Sequence, residues 1–396
     1  MSTIEWNSNQ DKIYLNWGSA ERIRKDVVIA EKKFLGWQLA FEDQPEKAIR
    51  VLREAISVSR KKIGALIKAT PSRSIIFTTG TEESLKTVLF RHDIIPYGSE
   101  IVITDCEFYG IHSKISPPRY HPRIAAIWNL DDPAAIVDAI SREVNSNTRL
   151  LLISHVTYNS GALLPIAEIT EECKRKNPEL FVLIDGAQAI GHIPVDVQRL
   201  KCDFYAGDAH KWFLGPDQTG FLYVQNQDHL QKIAADQSSI FSIHPELNHS
   251  KGSRSGAVAY ELAAIGESML FEDWQIIQDI YQQNCYLADI FKKRIESELG
   301  DRFEIHSPEH VGLKTGIVCL SLKNNSSVTK VSQLAHALLK KRIYLSIIYP
   351  PPKILTGYPS QPPMLRFCFH YWNTEEEIER VVYELVNKKN TRIFAQ

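Results

Sequence analysis

Seven short apolar, β-branched runs constrain this chain more than anything else in it. They fall at 74–79, 100–104, 123–128, 149–154, 181–185, 203–206 and 219–223, and helix-like stretches, notably 132–144 and 166–175, separate several of them. Runs without an apolar/polar alternation belong to strands buried on both faces. Their alternation with helices points to a mainly parallel sheet covered on both sides. Ligands in such folds sit beyond the carboxyl ends of the strands. Two of the runs lead into charges: one stops at Asp185, and another continues through Asp208 and His210 to Lys211 and Trp212. Charged side chains are seldom buried without a partner. An acid and a lysine at the ends of two core strands therefore point to one site where both meet a ligand.

Around this central pattern, residues 11–19 read as a short strand running into a turn, and 22–41 and 46–68 read as helices. In the second helix Ile49, Leu52, Ile56, Ile63, Leu66 and Ile67 recur at three and four, and Pro71 breaks the pattern. After the first core run, Gly80, Thr81 and Glu82 form a turn that opens a helix from about Ser84 to Arg91. Beyond residue 256 the character changes. A long amphipathic helix, roughly 258–298, is followed by strands near 303–306 and 315–322, a helix at 329–341 and a strand at 342–348. A Pro-rich loop, a strand at 364–369 and a helix at 374–388 complete the chain. This reads as a large domain, 1–255, whose first 20 or so residues form an arm lining the site, and a small α+β domain, 256–396.

Charge and cysteine usage narrow the functional classes. The formal net charge is −1, so no broad attraction to nucleic acid or anionic membrane is expected. No apolar run approaches the roughly 20 residues of a membrane span, and the N-terminus lacks a basic start and an apolar signal core. The expectation is a cytoplasmic protein. The six cysteines are scattered with no CxxC pair, so reduced thiols are expected, and neither a metal site nor a disulfide frame.

The chemistry that fits an acid and a lysine at strand ends is that of pyridoxal phosphate (PLP). It needs an amine to form a Schiff base, an acid to keep the pyridine nitrogen protonated, and a donor for the phenolic oxygen. It also needs an anion nest for phosphate and a flat group over the ring. Lys211 supplies the amine, Asp185 the acid and Gln188 the donor. The turn at Gly80, Thr81 and Glu82 supplies free N–H groups at a helix start. Taken singly, Lys211 reads as a surface lysine and Asp185 as a helix cap.

Taken together, the stretch from Ile184 to Val197 and the stretch from Cys202 to Trp212 closely resemble the class V aminotransferase superfamily. These are fold-type I PLP enzymes that include cysteine desulfurases, selenocysteine lyases and isopenicillin-epimerase-like enzymes. The resemblance covers nearly the whole chain, with further matches at 14–19, 77–84, 154–166 and 365–378. It implies an α/β fold, a large domain with a mainly parallel seven-stranded sheet between helices, a small C-terminal α+β domain, and a homodimer with shared active sites. It places the Schiff-base lysine at Lys211, the pyridinium partner at Asp185, the phenolate donor at Gln188 and the neighbouring histidine at His210. Phe108 takes the ring-stacking register, where desulfurases commonly have histidine. Arg366 takes that of the arginine gripping the substrate carboxylate, and a planar fork suits a carboxylate. Asn159, or Tyr158 by a one-residue shift, is expected to touch the phenolate or substrate. Asn16, Trp17 and Gly18 are expected to line the pocket.

Three positions around phosphate depart from the family. Glu82 stands where a threonine is frequent, Asp208 where a serine is frequent, and Arg254 in the register of a threonine that reaches the partner subunit's phosphate. The loop 348–363 carries no cysteine, whereas desulfurases hold a persulfide-forming cysteine there; Cys368 lies on the following strand instead. Members without that cysteine include carbon–sulfur lyases, epimerases and aminotransferase-like enzymes. The expected function is an enzyme that exchanges Lys211 for the amine of an α-amino acid on the cofactor and then removes the Cα proton. A carbon–sulfur β-elimination lyase ranks first, an aminotransferase or epimerase second, and a non-catalytic protein of the same fold third.

Overall fold

The computed structural model describes residues 12–19, 23–40, 45–235, 274–324, 326–351 and 361–387. In chain order the strands are β1 (Ile13–Tyr14), β2 (Ile75–Thr78), β3 (Glu100–Thr104), β4 (His121–Ala125), β5 (Thr148–Ser154), β6 (Phe181–Asp185), β7 (Phe204–Asp208), β8 (Gly220–Val224), β9 (Phe303–Ile305), β10 (Ile317–Leu322), β11 (Ile343–Tyr344), β12 (Ser346–Ile348) and β13 (Met364–Cys368). The helices are α1 (Lys25–Ala40), α2 (Pro45–Leu66), α3 (Thr81–Leu89), α4 (His112–Ile115), α5 (Pro133–Glu143), α6 (Ile166–Lys176), α7 (Val197–Leu200), α8 (Gln227–Ala235), α9 (Trp274–Leu299), α10 (Val328–Lys340) and α11 (Glu375–Val386).

The seven apolar runs become one sheet in the order β2-β8-β7-β6-β5-β3-β4. Alternate residues feed different layers, which is why the runs carry no polar positions. Leu151, Ile153, Val182 and Ile184 face one core, while Leu150, Leu152 and Leu183 face the other. From β7 to β4 every pairing is parallel, and β8 runs antiparallel to both β7 and β2. The connection from Asp208 to Gly220 carries no helix. A parallel return needs a crossover of roughly a dozen residues or more, usually helical, so β8 folds straight back beside β7.

A second sheet, β12-β13-β10-β9, is antiparallel throughout and packs against α9, α10 and α11 around Phe291, Val318, Phe367 and Val381. The N-terminal segment belongs here: β1 pairs with β11, and Asn16 bridges to Cys368 on β13. The expected division at 255/256 and the first part of the long helix lie outside the described residues.

Two expectations shift. The strand expected at 342–348 splits at Leu345, because β11 pairs with β1 and β12 pairs with β13. Helix α3 starts at Thr81, three residues earlier than expected. Gly80 ends the preceding segment at φ +141, its carbonyl accepts the Ser84 N–H at 3.1 Å, and Glu83 reaches back to the Thr79 N–H at 2.5 Å. The first helical N–H groups therefore belong to Thr81 and Glu82. No described helix is long and apolar enough to cross a membrane.

Candidate active site

The carboxyl ends of β5, β6 and β7 and the start of α3 open on one cavity of about 620 Å3. Gly80, Thr81, Phe108, Asp185, Gln188, Asp208, His210 and Lys211 line it from the large sheet, while Gly18, Ser19 and Arg366 close it from the side of the second sheet. This is the carboxyl-end crevice that a parallel sheet leaves for ligands.

Asp185, the last residue of β6, is buried, and its Oδ1 accepts the Ala187 N–H at 2.9 Å. Burial pushes its carboxyl up to about 6, and no ion pair to it forms among the described residues. Beside it lies a second buried acid that sequence reading passed over. Glu107 accepts from Thr104 Oγ1 at 2.7 Å and from Ser154 Oγ at 2.6 Å, and burial, with the Asp185 charge adding to it, pushes it up to about 7. An acid between Cys106 and Phe108, two residues after Asp105, is the only sequence signal for it.

Gln188 is oriented by Trp212, whose indole Nε1 donates to Oε1 at 2.9 Å. An indole N–H can only donate, so the amide oxygen must face it and the NH2 must point the other way. That NH2 donates to the Gly18 carbonyl at 2.8 Å, and a Cβ at Gly18 would lie 2.6 Å from Gln188 Oε1. Trp212 itself is clamped against His192, with rings 3.7 Å apart and 7° from parallel.

Lys211 Nζ lies 2.7 Å from Asp208 Oδ2, and Asp208 Oδ1 accepts the Thr81 N–H at 2.6 Å. Burial works to raise the Asp208 carboxyl, but the Lys211 ammonium and His210 outweigh it and hold it below its usual value. His210 Nδ1 is 3.2 Å from the Thr219 carbonyl. Thr81 Oγ1, in the same turn, is buried without a partner. Glu82 turns outward to the rim, its side chain 60% exposed, where it pairs with Lys86 at 2.8 Å and Lys114 at 3.1 Å; the Lys86 hydrogen bond keeps its carboxyl low.

Phe108 forms a wall, 40% exposed, and meets Tyr158 edge-to-face at 5.5 Å and 89°. Arg366, on β13, is 3% exposed. It donates to the Tyr158 carbonyl at 3.1 Å, to Ser346 Oγ at 3.1 Å and to Ser19 Oγ, while its Nε–H is buried with no partner. No carboxylate pairs with this guanidinium among the described residues.

Three expected pocket residues do not line the cavity. Trp17 is buried among Tyr14 and His370 and donates to Asn373 at 3.1 Å, because the aromatic body is large enough to become core. Asn16 turns aside to accept from Ser346 Oγ and so reaches Arg366 at one remove. Asn159 faces inward and donates to Gln361 at 3.0 Å, leaving Tyr158, the one-residue alternative, on the cavity wall. Arg254 and residues 352–360 lie outside the described residues. Cys368 is buried, its thiol pushed up by that burial. Each of the six cysteines is placed, and none lines the cavity.

Comparison with known proteins agrees with this geometry. The family model for aminotransferase class-V matches residues 22–381. The isopenicillin N epimerase of Amycolatopsis lactamdurans is 25% identical over 359 residues, covering 85% of each chain. The cysteine desulfurase of Serratia proteamaculans is 26% identical over 343 residues, covering 82% of this chain and 80% of its own. Among solved structures, the cystine C–S lyase C-DES in complex with its product cysteine persulfide superposes with a TM-score of 0.77 at 24% identity, covering 96% of this chain and 98% of that one. The apo cysteine desulfurase of Thermococcus onnurineus superposes with a TM-score of 0.75 at 19% identity, over 98% of both. At these identities the structural likeness shows the fold.

Proposed function

The chain belongs to the class V aminotransferase family of PLP enzymes, and from that premise we propose that it removes the Cα proton of an α-amino acid and expels a sulfur group from Cβ. The observation that carries the reading is Arg366: a buried guanidinium with an unpartnered Nε–H and no carboxylate, facing the same cavity as Lys211 and Asp185. A buried cation with no carboxylate among the described residues suits an anionic substrate group.

The residues fit the cofactor. Asp185 is a buried acid with no ion pair among the described residues, suited to a protonated ring nitrogen. Gln188 has its NH2 turned away from Trp212, suited to a phenolic oxygen. The orphaned Thr81 hydroxyl and the N–H groups at the start of α3, with His210 beside them, suit a phosphate. Phe108 offers a flat face. When bound, PLP supplies an electron sink for the charge left at Cα.

The chain's own groups do the rest. Arg366 grips the substrate carboxylate and so fixes which Cα bond faces the cofactor. Lys211 would hold the cofactor, and its Nζ is the group placed to take the Cα proton. Phe108 and Tyr158 exclude water from the face they cover. A persulfide carried by the chain has no candidate, since no cysteine lines the cavity and the 348–363 loop contains none. Sulfur would therefore leave with the product. We further propose a cytoplasmic homodimer with shared sites, Arg254 reaching the partner's phosphate, and a domain division near residue 255.

The test is incubation of the PLP-loaded protein with cysteine and with cystine. Pyruvate plus sulfide or cysteine persulfide supports the lyase. Absence of any band near about 420 nm after PLP addition would sink the cofactor reading. Epimerisation is the second reading, favoured by the match to the Amycolatopsis epimerase over most of both chains; exchange of the Cα hydrogen with inversion and no pyruvate would select it. Conversion of the cofactor to its amine form would select transamination instead.

A further inference from the structure

The anion cup at the start of α3 already holds an anion that belongs to the chain. Asp208 places one carboxylate oxygen on the Thr81 N–H at 2.6 Å and the other on Lys211 Nζ at 2.7 Å. Gly80 makes the approach possible: at φ +141 it has no Cβ, and one there would stand 2.9 Å from Asp208 Oδ1. The arrangement is enclosed, with the Asp208 side chain only 4% exposed.

We infer that Asp208 is a built-in competitor for phosphate in this cup, and that it reduces how strongly the chain prefers a phosphorylated cofactor over the same aldehyde without phosphate. The inference rests on the PLP reading above. A phosphate arriving at α3 meets a donor that is already engaged at short range. It must share the Thr81 N–H with a carboxylate or push that carboxylate aside, and like charges repel strongly where water is excluded. Asp208 loses twice in that exchange, because Lys211 must also leave it to give its amine to the aldehyde. The cup is nevertheless not saturated. Thr81 Oγ1 is buried without a partner and lines the cavity, so one donor still awaits a ligand oxygen. Phosphate can therefore bind, but against an internal rival.

The experiment measures dissociation constants of PLP and of pyridoxal separately, from the visible band of the lysine-bound cofactor, in the wild-type protein and in Asp208→Asn. Both ligands use the same aldehyde on Lys211, so freeing Lys211 from Asp208 affects both alike and cancels in the ratio of the two constants. What remains in the ratio is the phosphate. The carboxamide keeps the shape and can still accept the Thr81 N–H, so the fold is held. Asp208→Ser serves as a second variant that also vacates the space. The expected result is a PLP-over-pyridoxal preference about tenfold or more greater in both variants than in wild type. An unchanged or smaller preference in the variants, with a normal band in all three proteins, overturns the inference and leaves the cofactor reading standing. A wild-type protein that forms no band with either aldehyde overturns the cofactor reading itself.

Discussion

Replacing Arg366 by Gln tests the assignment of the substrate carboxylate most directly. The side chain is 3% exposed and holds three hydrogen bonds to Tyr158, Ser346 and Ser19, with the Nε–H left over. If the fork receives a carboxylate through two charge-assisted bonds, each is worth roughly 1.5–3 kcal/mol, so the pair contributes about 3–6 kcal/mol. At 1.36 kcal/mol per decade this is a factor of about 150 to 25,000 in amino-acid affinity. Destabilisation or a shifted pocket could weaken binding too, so the decisive measurement compares two ligands. Cysteine and cysteamine share amine and thiol and differ only in the carboxylate. Apparent dissociation constants for both are read from the absorbance change of the PLP-loaded protein. Wild type should prefer cysteine by the factor above, and Arg366→Gln should erase the preference by weakening cysteine while leaving cysteamine nearly unchanged. If the variant weakens both ligands equally, the carboxylate is held elsewhere and the assignment is wrong.

Other substitutions probe the remaining grips. Asp185→Asn removes the charge facing the ring nitrogen; breaking a buried ion pair costs about 3–5 kcal/mol, so turnover should fall by about 150- to 5,000-fold while urea unfolding of the cofactor-free protein changes little or moves toward greater stability. Phe108→Ala forfeits a stacking contact worth about 0.5–1.5 kcal/mol and should weaken PLP binding roughly 2- to 13-fold, without lowering the thermal midpoint of the apo protein, since the ring is 40% exposed. Trp212→Phe leaves Gln188 Oε1 without its donor, and the cofactor band should titrate differently with pH, whereas a purely packing role would leave the titration unmoved. Acid should destabilise the cofactor-free protein. Burial holds His155, His192 and His370 at about 3 and His112 at about 4. Their contribution is complete above the unfolded value near 6.5 and is lost as pH falls toward the folded values, about 2 kcal/mol each by pH 5. Glu107 and Asp185, raised to about 7 and about 6, work the other way: their contribution is present at low pH and lost as pH rises through those values. Four histidines outweigh two acids, so the urea midpoint should be lower at pH 5 than at pH 6.5 by several kcal/mol of stability; an equal or higher midpoint at pH 5 contradicts the burial of these rings as neutral groups.

Much of the fold was legible because strand burial is a local property. A run such as Leu150 to Ile153 serves two cores at once, and that leaves a continuous apolar signature along the chain itself. Asp185 and Lys211 stood out for the same reason, as charges where such runs give out. The antiparallel course of β8 was not legible, since it depends on what lies between Asp208 and Gly220 and on a free edge beside β7. Nor was the start of α3. Gly80 takes its φ where β8 crosses so closely that a Cβ on Gly220 would stand 2.5 Å from the Gly80 Cα.

The amino-acid sequence by itself determined the strands, the helices and the two charges that mark the site, because each is written in spacing over a few residues. The tertiary structure alone decided what those charges meet. Arg366 draws its partners from residues 19, 158 and 346, Gln188 is turned by Trp212, and Asp208 reaches across to residue 81. It also decided that Tyr158 and not Asn159 faces the cavity, in a loop with no period to read. Hydrogen bonds between distant segments are set by how the layers close, and no local pattern encodes that closure.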